Sequence, residues 1–189
     1  MQTNALTGGF ADAPVDAAHA FRAALEAMAR PGRIFQIAGA APPAPLSAAA
    51  GTLLLTLADG DTPLYLAGGW DTPALREWLT FHTGAPLTRP RDAAFAVGDW
   101  AALAPLGAYR AGVSEYPDRS ATLIVEMPAL EKAGARLTGP GIETEESLGL
   151  PEIDAFRANA AGYPLGLDFF FTSGNRLAAL PRSTRVEAA

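Results

Sequence analysis

The sequence predicts an α/β fold, a sheet covered on both faces and so three layers deep. Segments with helical spacing alternate with strand-like segments along the chain. The strand-like segments are mostly continuous apolar runs, as expected of strands buried on both faces. At 189 residues the chain is long enough for one full core. We therefore expect one domain over residues 1–189, with 1–9 as a flexible arm. There is no internal repeat and no charge run.

Each element has its own signal. Asp12 or Asp16 caps a first helix, Pro14 is tolerated near its start, and Phe21, Leu25 and Met28 recur at i, i+4, i+7 as its inward face. Pro31-Gly32 ends it, and Ile34, Phe35 and Ile37 read as a short strand. A Pro-Ala linker over 41–45 leads into a buried helix over 46–57. A strand over 63–67 follows. Asp71 or Thr72 then caps a helix with Pro73 near N1 and with Leu75, Trp78 and Leu79 turned inward. A strand spans 93–97, and Asp99 caps a short helix through Leu106. Thr122, Ile124 and Val125 mark the clearest strand, over 121–127. The Glu131-Lys132-Ala133-Gly134 turn leads into Ala135 to Thr138, read as a hairpin. The last elements are a helix over 151–161, with Ile153 and Phe156 as core contacts, and an apolar strand over 166–172 in which Asp168 is the exception.

Composition excludes several kinds of chemistry. With Cys 0 there is no disulfide framework, thiolate zinc site or cysteine nucleophile. The longest apolar run, Leu53 to Ala58 around Thr56, is far short of the roughly 18–20 residues of a membrane span. No basic residue precedes Arg22, so the start lacks the charged region of a signal peptide, and the expectation is a cytoplasmic chain. Twenty acidic against 14 basic residues argue against nucleic-acid binding.

His19 and His82 are the only histidines and neither has a partner at metal-ligand spacing. We expect His19 to be exposed and His82 to cap carbonyls at a helix end. Lys132 is the only lysine, and it sits in a polar turn rather than the dry pocket that a pyridoxal-phosphate Schiff base needs. No G-x-S-x-G elbow or S-x-x-K pair is present.

Anion binding stays open at three places. Arg30 and Arg33 flank Pro31-Gly32, where they either compensate the helix dipole or hold an anion. Arg182 and Arg185 bracket Ser183-Thr184, where they either form an edge-strand or subunit contact or grip phosphate or carboxylate. In the third, Thr138-Gly139-Pro140-Gly141, backbone N–H groups are able to face an anion, or the segment is simply a tight turn before Glu143, Glu145 and Glu146.

Taken together and in order, seven segments carry a resemblance. They are Gly9 to Asp12, Phe21-Arg22, Met28 to Arg33, Phe81 to Gly84, Arg136 to Ile142, Tyr163 to Asp168, and Leu180 to Val186. Over nearly the whole chain they resemble the PhnH family, whose members belong to the bacterial carbon–phosphorus lyase core complex. That resemblance implies a mixed central sheet like that of pyridoxal-phosphate-dependent transferases, without the cofactor. It implies an accessory component needed for alkylphosphonate catabolism, supporting the coupling of phosphonate to ribose C1′ of ATP with release of adenine. No activity is expected from the chain alone. The implied partners are subunits G, I and J, with a homodimer for the isolated chain, no cofactor, and no nucleic-acid or membrane partner. Lacking cysteine, the chain cannot be the iron–sulfur component that breaks the carbon–phosphorus bond. No catalytic residue carries over. The candidates remain Arg30, Arg33, Thr138, Gly139, Gly141, Arg182, Thr184 and Arg185. Trp70 and Trp100, beside loops, are either partner anchors or core fillers. The alternative is a ligand-binding or catalytic subunit acting on a phosphorylated ribose or nucleotide.

Overall fold

In the first helix, α1 (Ala13–Ala29), the carboxylate of Asp12 accepts from the Val15 N–H, and Asp16 reaches back to the Asp12 N–H at 3.0 Å. Both candidate acids thus serve the same cap. The inward face is an alanine stripe, Ala20, Ala24 and Ala27, which lets α1 lie close on its neighbours. Phe21 and Leu25 point outward, 53% and 57% exposed. The spacing rule found a face, but the buried one belongs to the small residues. The computed structural model describes residues 6–189, so the first five positions of the expected arm lie outside it. Its described part is held rather than loose. The Thr7 carbonyl accepts from Trp78 Nε1 at 2.9 Å, and the Gly8 carbonyl accepts from the Ala41 N–H at 2.8 Å.

The remaining elements are β1 (Phe35–Gln36), α2 (Ala48–Leu57), β2 (Leu64–Leu66), α3 (Pro73–Thr83), β3 (Phe95–Gly98), α4 (Trp100–Leu103), β4 (Thr122–Glu126), β5 (Ala135–Thr138), β6 (Glu146–Leu148), α5 (Ile153–Ala161), β7 (Asp168–Ser173), β8 (Arg176–Leu180) and β9 (Arg185–Ala188). Ser47, Thr72 and Asp99 cap α2, α3 and α4 through their side-chain oxygens. Gly84, in the left-handed region, closes α3. The α4 helix stops at Leu103 rather than Leu106, because Pro105 cannot continue it.

Six strands form one mixed sheet in the order β1-β8-β7-β4-β3-β2, with β2, β3, β4 and β7 parallel and β8 antiparallel to both its neighbours, β7 and β1. Alternate residues face opposite layers. Leu64, Val97, Ile124 and Phe170 pack with α1, α2 and α3. Ala96, Leu123, Val125, Phe169 and Phe171 pack with α4, α5 and a second sheet. That second sheet is antiparallel, β6-β5-β9. So β5 does not form the expected hairpin with the strand before it. It pairs with β6 and β9, at registers such as Leu137↔Val186. The protein is thus α/β with a mixed sheet covered on both faces, one cover being partly β. Among the described residues no helix is long and apolar enough to cross a membrane.

Candidate functional site

The three candidate segments converge. Thr138 and Arg185 are register partners on β5 and β9. The turn after β5 is closed by the Ile142 N–H donating to the Gly139 carbonyl at 3.1 Å. Gly139 and Gly141 have φ of +132° and +81°. A Cβ at Gly139 would stand 3.2 Å from the Ser183 carbonyl, and one at Gly141 only 2.0 Å from that of Ala29. The turn is thereby wedged between the end of α1 and the loop joining β8 to β9, which is why glycine is needed there.

The cations around this wedge are mostly committed. Arg30 Nε lies 3.2 Å from Glu26 Oε2 on α1. Arg33 Nε donates to Glu146 Oε1 at 2.9 Å, and Lys132 Nζ stands 3.9 Å from the other oxygen. Arg182 is the most constrained of them, with its side chain 12% exposed. Its guanidinium binds both oxygens of Asp168, the Ser120 hydroxyl and the Pro117 carbonyl, the last at 2.6 Å. Its backbone N–H also donates to Asp168, at 2.9 Å. This ties the start of β7 to two loops. Thr184 is buried, its N–H bonded to the Pro181 carbonyl and its hydroxyl without a partner. Arg185 is exposed and makes no ion pair among the described residues. A hollow of about 320 Å³ beside Arg182 carries Asp118 and Asp168 as well. Two carboxylates against one spent guanidinium disfavour a phosphate dianion there. The chemistry this wedge supports best is bracing, with Arg185 as its one uncommitted cation among the described residues.

Two acids carry structural weight that local sequence patterns do not signal. In the sequence Asp168 stands out only as the exception in an apolar strand, and that exception is the partner of Arg182. Glu126, ending the β-branched run, accepts from the Ser47 N–H at 2.7 Å and the Thr172 hydroxyl at 3.1 Å. It therefore sits at the positive end of α2. Burial raises its pKa above the ordinary 4.5, and these hydrogen bonds only partly oppose the rise.

Other expectations need correction. His82 does not cap carbonyls; its ring packs on Trp78 and Phe81 at 5.0 and 4.9 Å, with Nε2 buried and unpartnered. His19 is exposed, as expected. Trp70 and Trp100 are half-buried against the two cores rather than free anchors. The exposed aromatics are Phe21, Phe81, Tyr116 and Tyr163. Among the described residues no cluster of three or more His, Asp or Glu is arranged to hold a metal.

Comparison with known proteins matches residues 8–187 to the family described as bacterial phosphonate metabolism protein (PhnH). A relative from Rhizobium meliloti (strain 1021), the α-D-ribose 1-methylphosphonate 5-triphosphate synthase subunit PhnH, is 40% identical over 197 residues, covering 98% of each chain. The HtxG protein of Stutzerimonas stutzeri, which bears the name of a C–P lyase subunit, is 30% identical over 198 residues, covering 94% of each.

Proposed function

The chain belongs to the PhnH family of bacterial phosphonate metabolism proteins, and on that premise we propose that it is an accessory, non-catalytic subunit of a carbon–phosphorus lyase complex. In this reading it supports the coupling of an alkylphosphonate to ribose C1′ of ATP, with release of adenine. It does so by binding subunits G, I and J, and it forms a homodimer when isolated. The observation that carries the reading is the end-to-end match to a synthase subunit at 40% identity. The geometry supports it in two ways. Three of the four candidate arginines, Arg30, Arg33 and Arg182, are tied to carboxylates. Large apolar side chains, Phe21 and Leu25, instead stand exposed one turn apart on α1. We also read the mixed sheet as that of the pyridoxal-phosphate transferases with the cofactor lost. Lys132, 59% exposed beside Glu146, lacks the dry pocket a Schiff base needs.

Co-expression with subunits G, I and J, followed by size-exclusion chromatography, tests the proposal. Stoichiometric co-elution is the expected result. A chain that ignores these partners at several salt concentrations overturns it and favours independent action on a phosphorylated ribose or nucleotide. In that case nucleotide titration follows, with Arg185→Ala as the informative variant.

A further inference from the structure

Between α4 and α5, away from the arginine and glycine turns, lies a cavity of about 610 Å³. That volume falls in the range of small-molecule sites, roughly 300–1,000 Å³. Its walls are apolar and partly aromatic, with Trp100, Leu106, Tyr109, Ala158, Leu165 and Leu167 among them. The ring of Trp100 is fixed by Phe156, 4.8 Å away. Burial and the neighbouring Tyr65 push the Tyr109 hydroxyl up to about 12, so it stays a neutral phenol.

The polar lining is sparse and of one sign. Asn159 binds the backbone of Leu167 with both ends of its amide, at 2.8 and 2.9 Å, so it shapes the floor. Glu152, exposed at the rim, accepts from Trp100 Nε1 through Oε2 at 2.9 Å and leaves Oε1 to solvent. No arginine, lysine or histidine lines the cavity. An entering phosphate or phosphonate would meet a carboxylate with no cation to offset it. An amidinium, an ammonium or a ring N–H would instead pair with the Glu152 carboxylate at the rim, while the aromatic walls cover a flat ring.

We propose that this cavity is a small-molecule site for a flat aromatic ligand that is cationic or bears an N–H donor, and that it turns away phosphate- and phosphonate-bearing compounds. The inference is independent of the subunit reading, since it rests on the lining alone.

Two-dimensional NMR of the full chain tests it, with benzamidine as the cationic aromatic and methylphosphonate as the anion. Benzamidine is expected to shift resonances within 100–111 and 152–167, and methylphosphonate to leave them in place. Glu152→Gln should weaken benzamidine about threefold, as loss of an exposed ion pair does. Ala158→Trp, on the α5 wall, should fill the cavity and abolish the shifts. Methylphosphonate shifts in those segments, absence of benzamidine shifts, or shifts that survive Ala158→Trp would each overturn the proposal. Should Ala158→Trp fail to fold, unchanged benzamidine affinity in Glu152→Gln is decisive against it.

Discussion

Glu126 carries a measurable signature. Its folded pKa is raised, so the native state holds a proton that the unfolded chain has already released. The contribution of Glu126 to stability should then be greatest below the ordinary carboxylate value and fall as pH rises through the raised one, against the opposite contributions of Asp59 and Asp71, whose pKa values are lowered. Urea midpoints of the native chain and of a variant lacking this carboxyl, measured across that window, should differ by this slope. Glu126→Gln keeps an acceptor for the Ser47 N–H and is that variant. Arg182 behaves in the opposite sense to a ligand-binding arginine. Its removal leaves Asp168 half-buried and unpaired, so Arg182→Ala should cost on the order of 3 kcal/mol in denaturant unfolding. An unchanged midpoint would mean that the guanidinium is spare after all. From the sequence, Arg182 was legible as special but not as structural, because Asp168 lies 14 positions away and only the β7–β8 pairing brings them together.

At the scale of elements, local chemistry determines helix starts and interior strands, and tertiary pairing determines the rest. Thr72 and Asp99 were readable as caps, and Thr122 to Glu126 as a strand, because those signals lie within a few residues. By contrast, β8 is largely Leu177-Ala178-Ala179-Leu180, and alanine has little strand preference of its own; five register pairs with β7 hold it extended. The outward turn of Phe21 and Leu25 was illegible for a related reason: periodicity shows that a face exists but not which face the sheet takes. Convergence of the candidate turns follows from the β5–β9 pairing, and glycine is what permits it. Gly141→Ala should therefore destabilise by more than the roughly 1 kcal/mol of an ordinary left-handed glycine, because its Cβ meets the Ala29 carbonyl. Gly174→Ala, at φ +59° with nothing within 4 Å, is the control and should cost only that smaller amount. On α5, Phe156 meets Trp100, Phe169 and Phe171, so Phe156→Ala should cost about 3–5 kcal/mol in the same assay.

At the scale of the molecule, its charge and its surface set how it should associate. A net charge of −6 repels like-charged partners at low salt, so electrostatics alone would not draw an acidic partner to the chain. On the proposed subunit role, apolar contact would supply the association, and it strengthens rather than fades as salt screens the repulsion. The exposed pair on α1 is the place to interrupt it. Phe21→Gln with Leu25→Gln keeps good helix formers at positions more than half exposed, so the stability should change by less than about 0.5 kcal/mol. The same double variant should lose co-elution with its partner subunits, and the native complex should survive about 0.5 M salt, where charges are screened beyond about 4 Å. Thermal unfolding and size-exclusion chromatography on one preparation separate the two effects. A double variant that folds and still co-elutes would move the contact off α1, to a surface where Phe81, Tyr116 or Tyr163 is the exposed aromatic.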